Sequence, residues 1–167
     1  MKCFQKLLDP TTFADPGEQQ AEASRQLPNL VAKSHLRWWK APHHEPPPGR
    51  ALLVIVAPYS QYDLAMLDIL DDVVAGQGSG DPSIVEEIYV ANIESYESLD
   101  DLRIDIPALK SIPLQTPLVA SWADGKIREL AFGKLGRDLV ARELGIYPSG
   151  FNEFVLQRVH HATHCGI

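Results

Sequence analysis

The sequence predicts an α/β protein with a mixed central sheet flanked by helices and helical extensions at both ends. Three observations carry this. Ala51 to Ala57 is a continuous apolar run, which suits a central strand buried on both faces. Asp63 to Val74 follows with Leu64, Leu67, Leu70 and Val74 on one helical stripe. Further on, "PLVASW", "ADGK" and "IRELAF" read as a hairpin, Asp124-Gly125 being a favoured turn pair. The central order is β-α-β-α-β-β-α, and two strands joined through a helix, followed by a hairpin, make a mixed sheet.

From the N-terminus, Asp15-Pro16-Gly17-Glu18 resembles a capping box with proline at the first helical position, opening a short helix to about Leu27. After Pro28, the residues Leu30, Val31, Ala32, Leu36 and Trp39 continue at roughly helical spacing. "APHHEPPPGR" breaks the pattern as a stiff, extended linker. The predicted organisation is a helical extension and linker over residues 1–49, a domain over 50–146 and a terminal helix over 147–167.

Within that domain, Asp68, Asp71 and Asp72 are expected on the solvent face of the first helix, which "AGQGSGDPS" ends. "IVEEIYVANI" is a second strand, and "YESLDDLRIDIPALKSIP" begins as a helix. "GRDLVAREL" is a helix stopped by Gly145. A last helix starts after Ser149, with Phe151, Phe154, Val155 and Val159 on one face.

Hydrophobic residues form 45% of the 167, enough for a real core. The net charge of -7 is uneven: +2 over residues 1–50, -9 over 51–146 and zero over 147–167. An acidic centre repels phosphate backbones, which argues against nucleic acid as a partner. No apolar run is long enough to span a membrane, and the first twenty residues lack a secretory core, so a cytoplasmic location is expected. Cys3 and Cys165 stand near opposite ends and imply no disulfide framework.

In order and spacing, residues 50–146 resemble the thioredoxin-like family. "ALLVIVA" running through a turn into "DLAMLDILDDVV" is similar to the family's strand and active-site helix. Thr116-Pro117 entering "LVASWADGKIRELAFG" is similar to its cis-proline, hairpin and closing glycine, and "RDLVAREL" to its terminal helix. Ser60-Gln61-Tyr62-Asp63 stands where the family has C-x-x-C, and Val54 where it has a buried acid. Dithiol exchange needs an attacking thiolate and a resolving thiol, so that activity is set aside. The resemblance then implies a redox-inactive thioredoxin-like protein that binds another protein or an extended peptide segment. Its role would be that of an accessory, scaffold or chaperone-like factor. Redox-inert relatives include assembly and maturation factors for larger enzymes, hydrogenases among them.

The residues at the degenerate loop support a structural reading. Serine followed three positions later by an acid, before an apolar helical run, is a capping-box pattern. Asp63 in the first turn also faces the positive end of the helix dipole. No catalytic residue is assigned, because all six histidines lie outside residues 51–146 and Ser60 has no evident base. Tyr59 and Tyr62 flank the turn and would suit an interface beside Thr116-Pro117. Trp38 and Trp39, among basic residues, are a second candidate contact, although adjacent residues cannot share a helix face and one should pack inward. Two alternatives remain open. Glutathione could use the helix start, as in some thioredoxin-like transferases, and zinc could be held by His160, His161, His164 and Cys165. No other cofactor is implied.

Overall fold

The computed structural model describes residues 4–8, 15–76, 85 and 87–160. Five strands form one mixed sheet: β1 (Arg37–Trp38), β2 (Ala51–Val56), β3 (Glu87–Asn92), β4 (Leu118–Ala123) and β5 (Lys126–Phe132), in the order β1-β3-β2-β4-β5. β1, β3 and β2 run parallel, whereas β4 is antiparallel to both β2 and β5. The helices are α1 (Pro16–Ala32), α2 (Gln61–Val74), α3 (Leu99–Asp105), α4 (Lys134–Glu143) and α5 (Pro148–His160), preceded by a 3-10 turn at Phe4–Leu8.

Every residue of β2 is buried, as its unbroken apolar run requires. Its side chains alternate between two cores. Leu52, Val54 and Val56 join residues of α1, α2, α4 and α5 on one face. Leu53 and Ile55 join Trp39, Tyr96 and Leu102 on the other. The β4–β5 turn places Asp124 at φ 53° and Gly125 at φ 75°, the left-handed pair that a two-residue hairpin turn needs.

The N-terminal segment departs from the helical expectation. α1 continues through Pro28 to Ala32, its face fixed by Ala23, Leu27 and Val31 in the core. The chain then extends, and Arg37–Trp38 pairs with Tyr89–Val90 as an edge strand. Apolar spacing could not reveal this, because edge pairing depends on where β3 lies. Phe4, Leu27 and Leu36 share one core with Leu52, Phe151 and Val155, so packing crosses the boundaries expected at residues 50 and 147.

That packing overturns a second expectation. Asp68 and Asp71 do not face solvent: they are 0% and 4% exposed. The 3-10 turn covers Asp68, whose Oδ1 accepts the Phe4 N–H at 2.6 Å. Asp71 Oδ1 accepts the His35 N–H at 2.8 Å, and Asp72 pairs with Arg158 at 3.2 Å. Polar residues on the outward stripe of α2 have become anchors for the chain's two ends. On α5, Phe151 and Val155 are buried as expected, but Phe154 is 44% exposed.

Candidate functional site

The turn after β2 closes through the Ser60 N–H, which donates to the Ala57 carbonyl at 3.0 Å. Ser60 is extended (φ -93°, ψ 115°) and is the N-cap of α2, its Oγ accepting the Asp63 N–H at 3.3 Å. This half of the predicted capping box is present. The reciprocal half is not, because the Asp63 carboxylate reaches past Ser60 and its Oδ2 accepts the Ala57 N–H at 2.9 Å. The loop is therefore sewn to the helix at two points.

Asp63 is 1% exposed, and its Oδ1 has no hydrogen-bond partner of ordinary geometry. Burial pushes the carboxyl up to about 6, against the opposing pull of the Thr116 side chain, the Ala57 N–H, Arg137 and the Ser60 side chain. A helix-capping acid on a solvated surface would show no such shift. The difference comes from desolvation, the carboxyl being buried next to Thr116, whose bond to Pro117 is cis.

The chain before β4 lies against the start of α4. The Gly133 N–H donates to the Pro117 carbonyl at 3.0 Å. Gly133 has φ 65°, and a Cβ there would press on the Gln115 side chain. At Gly136 a Cβ would meet the Pro117 carbonyl oxygen at 2.8 Å. Gly136 has no room for a side chain, because the obstacle is backbone, whereas at Gly133 the positive φ is what favours glycine.

Between the α2 turn and residues 112–116 lies an open cavity of about 510 Å³. Tyr59, Ser60 and Tyr62 form one wall, and Ile112, Leu114 and Thr116 the other. Ile93 and Arg137 also line it. Both tyrosines are 46% exposed, Ile112 is 60% exposed and Leu114 is 91% exposed. The volume lies within the range of small-ligand and peptide-anchor pockets, about 300–1,000 Å³. Compared with models of protein families, with curated proteins and with solved structures, the chain finds no match.

Of the sequence-derived candidates, the structure therefore brings Tyr59, Ser60, Tyr62 and Thr116 to one cavity, with Asp63 behind its wall and Gln61 exposed at the helix start. Ile112, Leu114 and Arg137 were not foreseen. The visible signal for the first two was "IPLQTP", apolar residues between prolines that belong to no periodic element. Arg137 sits on a helix that reads as ordinary, and only the approach of α4 to Pro117 places it at the cavity.

The tryptophans go elsewhere. Trp39 is fully buried, stacked on His44 at 4.1 Å between centroids and near Trp122, so burial removes it from the candidate partner contacts. Trp38 is half-buried on the opposite core. Around this aromatic group Asp105 accepts the N–H of His43 and of His44 at 2.9 and 3.0 Å and the Tyr96 hydroxyl at 2.7 Å. These bonds fasten the proline-rich segment to the end of α3. Of the candidate metal ligands, His160 ends α5, while His161, His164 and Cys165 lie outside the described residues. Among the described residues no group of three or more His, Cys, Asp or Glu is arranged to hold a metal ion. No helix among them is long and apolar enough to cross a membrane.

Proposed function

We propose that this chain is a redox-inactive thioredoxin-like protein whose groove beside Thr116-Pro117 holds an extended segment of another protein, as an accessory or chaperone-like factor does. The strand order and the mixed parallel–antiparallel pattern support the fold half of this reading. The binding half rests on one observation above all: apolar and aromatic side chains stand exposed around a concave cavity. A monomeric surface rarely leaves such a group uncovered without use. Tyrosine adds contact area with a polar tip and little entropy to lose. Ser60 Oγ caps the helix and Asp63 Oδ2 holds the turn, which suits a supporting wall better than a nucleophile.

The test is affinity capture from extract of the source cells by wild type and by the Tyr59→Ala/Tyr62→Ala double variant. A thermal melt first checks that both are equally folded. The reading expects a specific protein retained by wild type and lost by the variant. Equal recovery by both refutes the groove as the binding surface.

A further inference from the structure

Arg137 is the one charged side chain among the described residues that line the groove. It belongs to a stretch, residues 51–146, whose net charge is -9, so this part of the wall differs in sign from the domain around it. Its position is built from both sides. The Arg137 N–H donates to the Gly133 carbonyl at 3.1 Å in the first turn of α4, next to the Gly133 bond to Pro117. Its Nε donates to Asn152 Oδ1 at 3.0 Å, and Asn152 Nδ2 in turn donates to Asp138 Oδ1 at 2.7 Å and to the Pro148 carbonyl at 2.9 Å. One edge of the guanidinium is thus fixed by α5.

The other edge is unspent. Among the described residues neither Nη of Arg137 has a hydrogen bond, and no carboxylate lies within ion-pair distance of it. The acids nearby are committed elsewhere. Asp138 is held by Asn152 and by Lys134 at 3.5 Å, and Glu94, next to Ile93, accepts the Ser24 hydroxyl. Asp63 is 1% exposed behind the wall and acts on Arg137 only through space. A guanidinium held at Nε with its Nη atoms free offers paired N–H donors that match the two oxygens of a carboxylate. The rest of the lining is neutral, with apolar side chains at Ile112 and Leu114 and hydroxyls at Tyr59 and Tyr62.

We propose that Arg137 sets the specificity of the groove: it takes the side-chain carboxylate of an aspartate or glutamate in the bound segment, while Ile112 and Leu114 take an apolar neighbour. This rests on the groove being a binding site, and it names the kind of segment that the site selects. The carboxylate is that of an internal side chain and not of a free C-terminus. Terminal carboxylates are captured by clusters of backbone N–H groups, and those of the α2 turn are already spent. Ser60 N–H donates to the Ala57 carbonyl, Ala57 N–H to Asp63 Oδ2 and Asp63 N–H to Ser60 Oγ. Charge complementarity therefore falls on one side chain, and removing it removes the preference.

The experiment selects binders for the full chain from a library of random peptides displayed between fixed linkers, so that neither end is a terminus. Wild type, Tyr59→Ala/Tyr62→Ala and Arg137→Gln are compared after thermal melts show that each is folded. Peptides retained by wild type and lost by the tyrosine variant report the groove. These should be enriched in aspartate or glutamate beside apolar residues. One of them, resynthesised with both ends blocked, is then titrated by fluorescence anisotropy. It should bind about tenfold more weakly when its acid becomes the amide, or when the protein is Arg137→Gln, with little further loss when both are changed. Arg137→Glu should turn the selection toward lysine and arginine, which an arginine of purely structural role would not do. Where Arg137→Gln does not fold, Arg137→Lys replaces it, and the acid should still be selected but held more weakly because the fork is lost. Groove peptides without acid enrichment, equal binding by Arg137→Gln, or tighter binding of an acid-free peptide through an unblocked C-terminus would each overturn the assignment and leave the binding reading standing. A wild type that retains no peptide, or whose groove is closed by a second copy in a dimer, overturns both.

Discussion

Replacing Asp63 by asparagine tests the physical core of this account, because the same burial that raises the carboxyl also fixes how stability depends on pH. Burial pushes the carboxyl up to about 6 in the folded chain, against about 3.9 for an unperturbed aspartate. Between those values the native state holds a proton that the unfolded chain has released. Stability therefore falls as pH rises through that window and levels off above the folded value. A gap of this size corresponds to a loss of about 3 kcal/mol above pH 7, at about 1.4 kcal/mol for each pH step. Asparagine keeps an oxygen to accept the Ala57 N–H and carries no charge to desolvate. The variant should then be more stable than wild type by about 2–3 kcal/mol near pH 7.5, an advantage that fades toward pH 4. Urea unfolding of both proteins at several pH values measures this directly. Asp68, which burial pushes up to about 7, titrates in both proteins and cancels from the difference. An Asp63→Asn protein no more stable at pH 7.5, or one whose gain is the same at pH 4.5, would refute the burial argument.

Other substitutions probe the packing that positions the groove. Tyr59→Ala and Tyr62→Ala should each change stability by less than about 0.5 kcal/mol in urea, because both rings are half exposed. Gly136→Ala should lower stability by about 1–3 kcal/mol despite alanine's better helix propensity, since its Cβ would strike the Pro117 carbonyl; a stabilised variant would show that α4 can shift away. Gly150→Ala, in α5 with nothing within 4 Å of the added carbon, should instead raise the melting midpoint, worth about 0.5–1 kcal/mol. Trp39→Ala should cost about 3–5 kcal/mol and erase much of the near-ultraviolet circular dichroism of the Trp39–His44–Trp122 group. An intact spectrum would mean that His44 and Trp122 are held without it.

The residues determined much of this protein on their own. The unbroken apolar run of β2, the stripe on α2 and the Asp124-Gly125 turn are local patterns, and each became the element they predict. Ser60 as an N-cap was equally legible, because a cap is made within a few residues of itself. What needed the tertiary structure was every feature set by a distant neighbour. Arg37–Trp38 is a strand because β3 offers it an edge. Asp68 and Asp71 are buried because the 3-10 turn and the chain after α1 cover the polar stripe of α2. Asp63 looks in sequence like a solvated capping acid, and Thr116 stands fifty-three positions away. Only folding brings that segment and Arg137 over the carboxyl, and excluding water there turns a surface cap into a buried, titratable group.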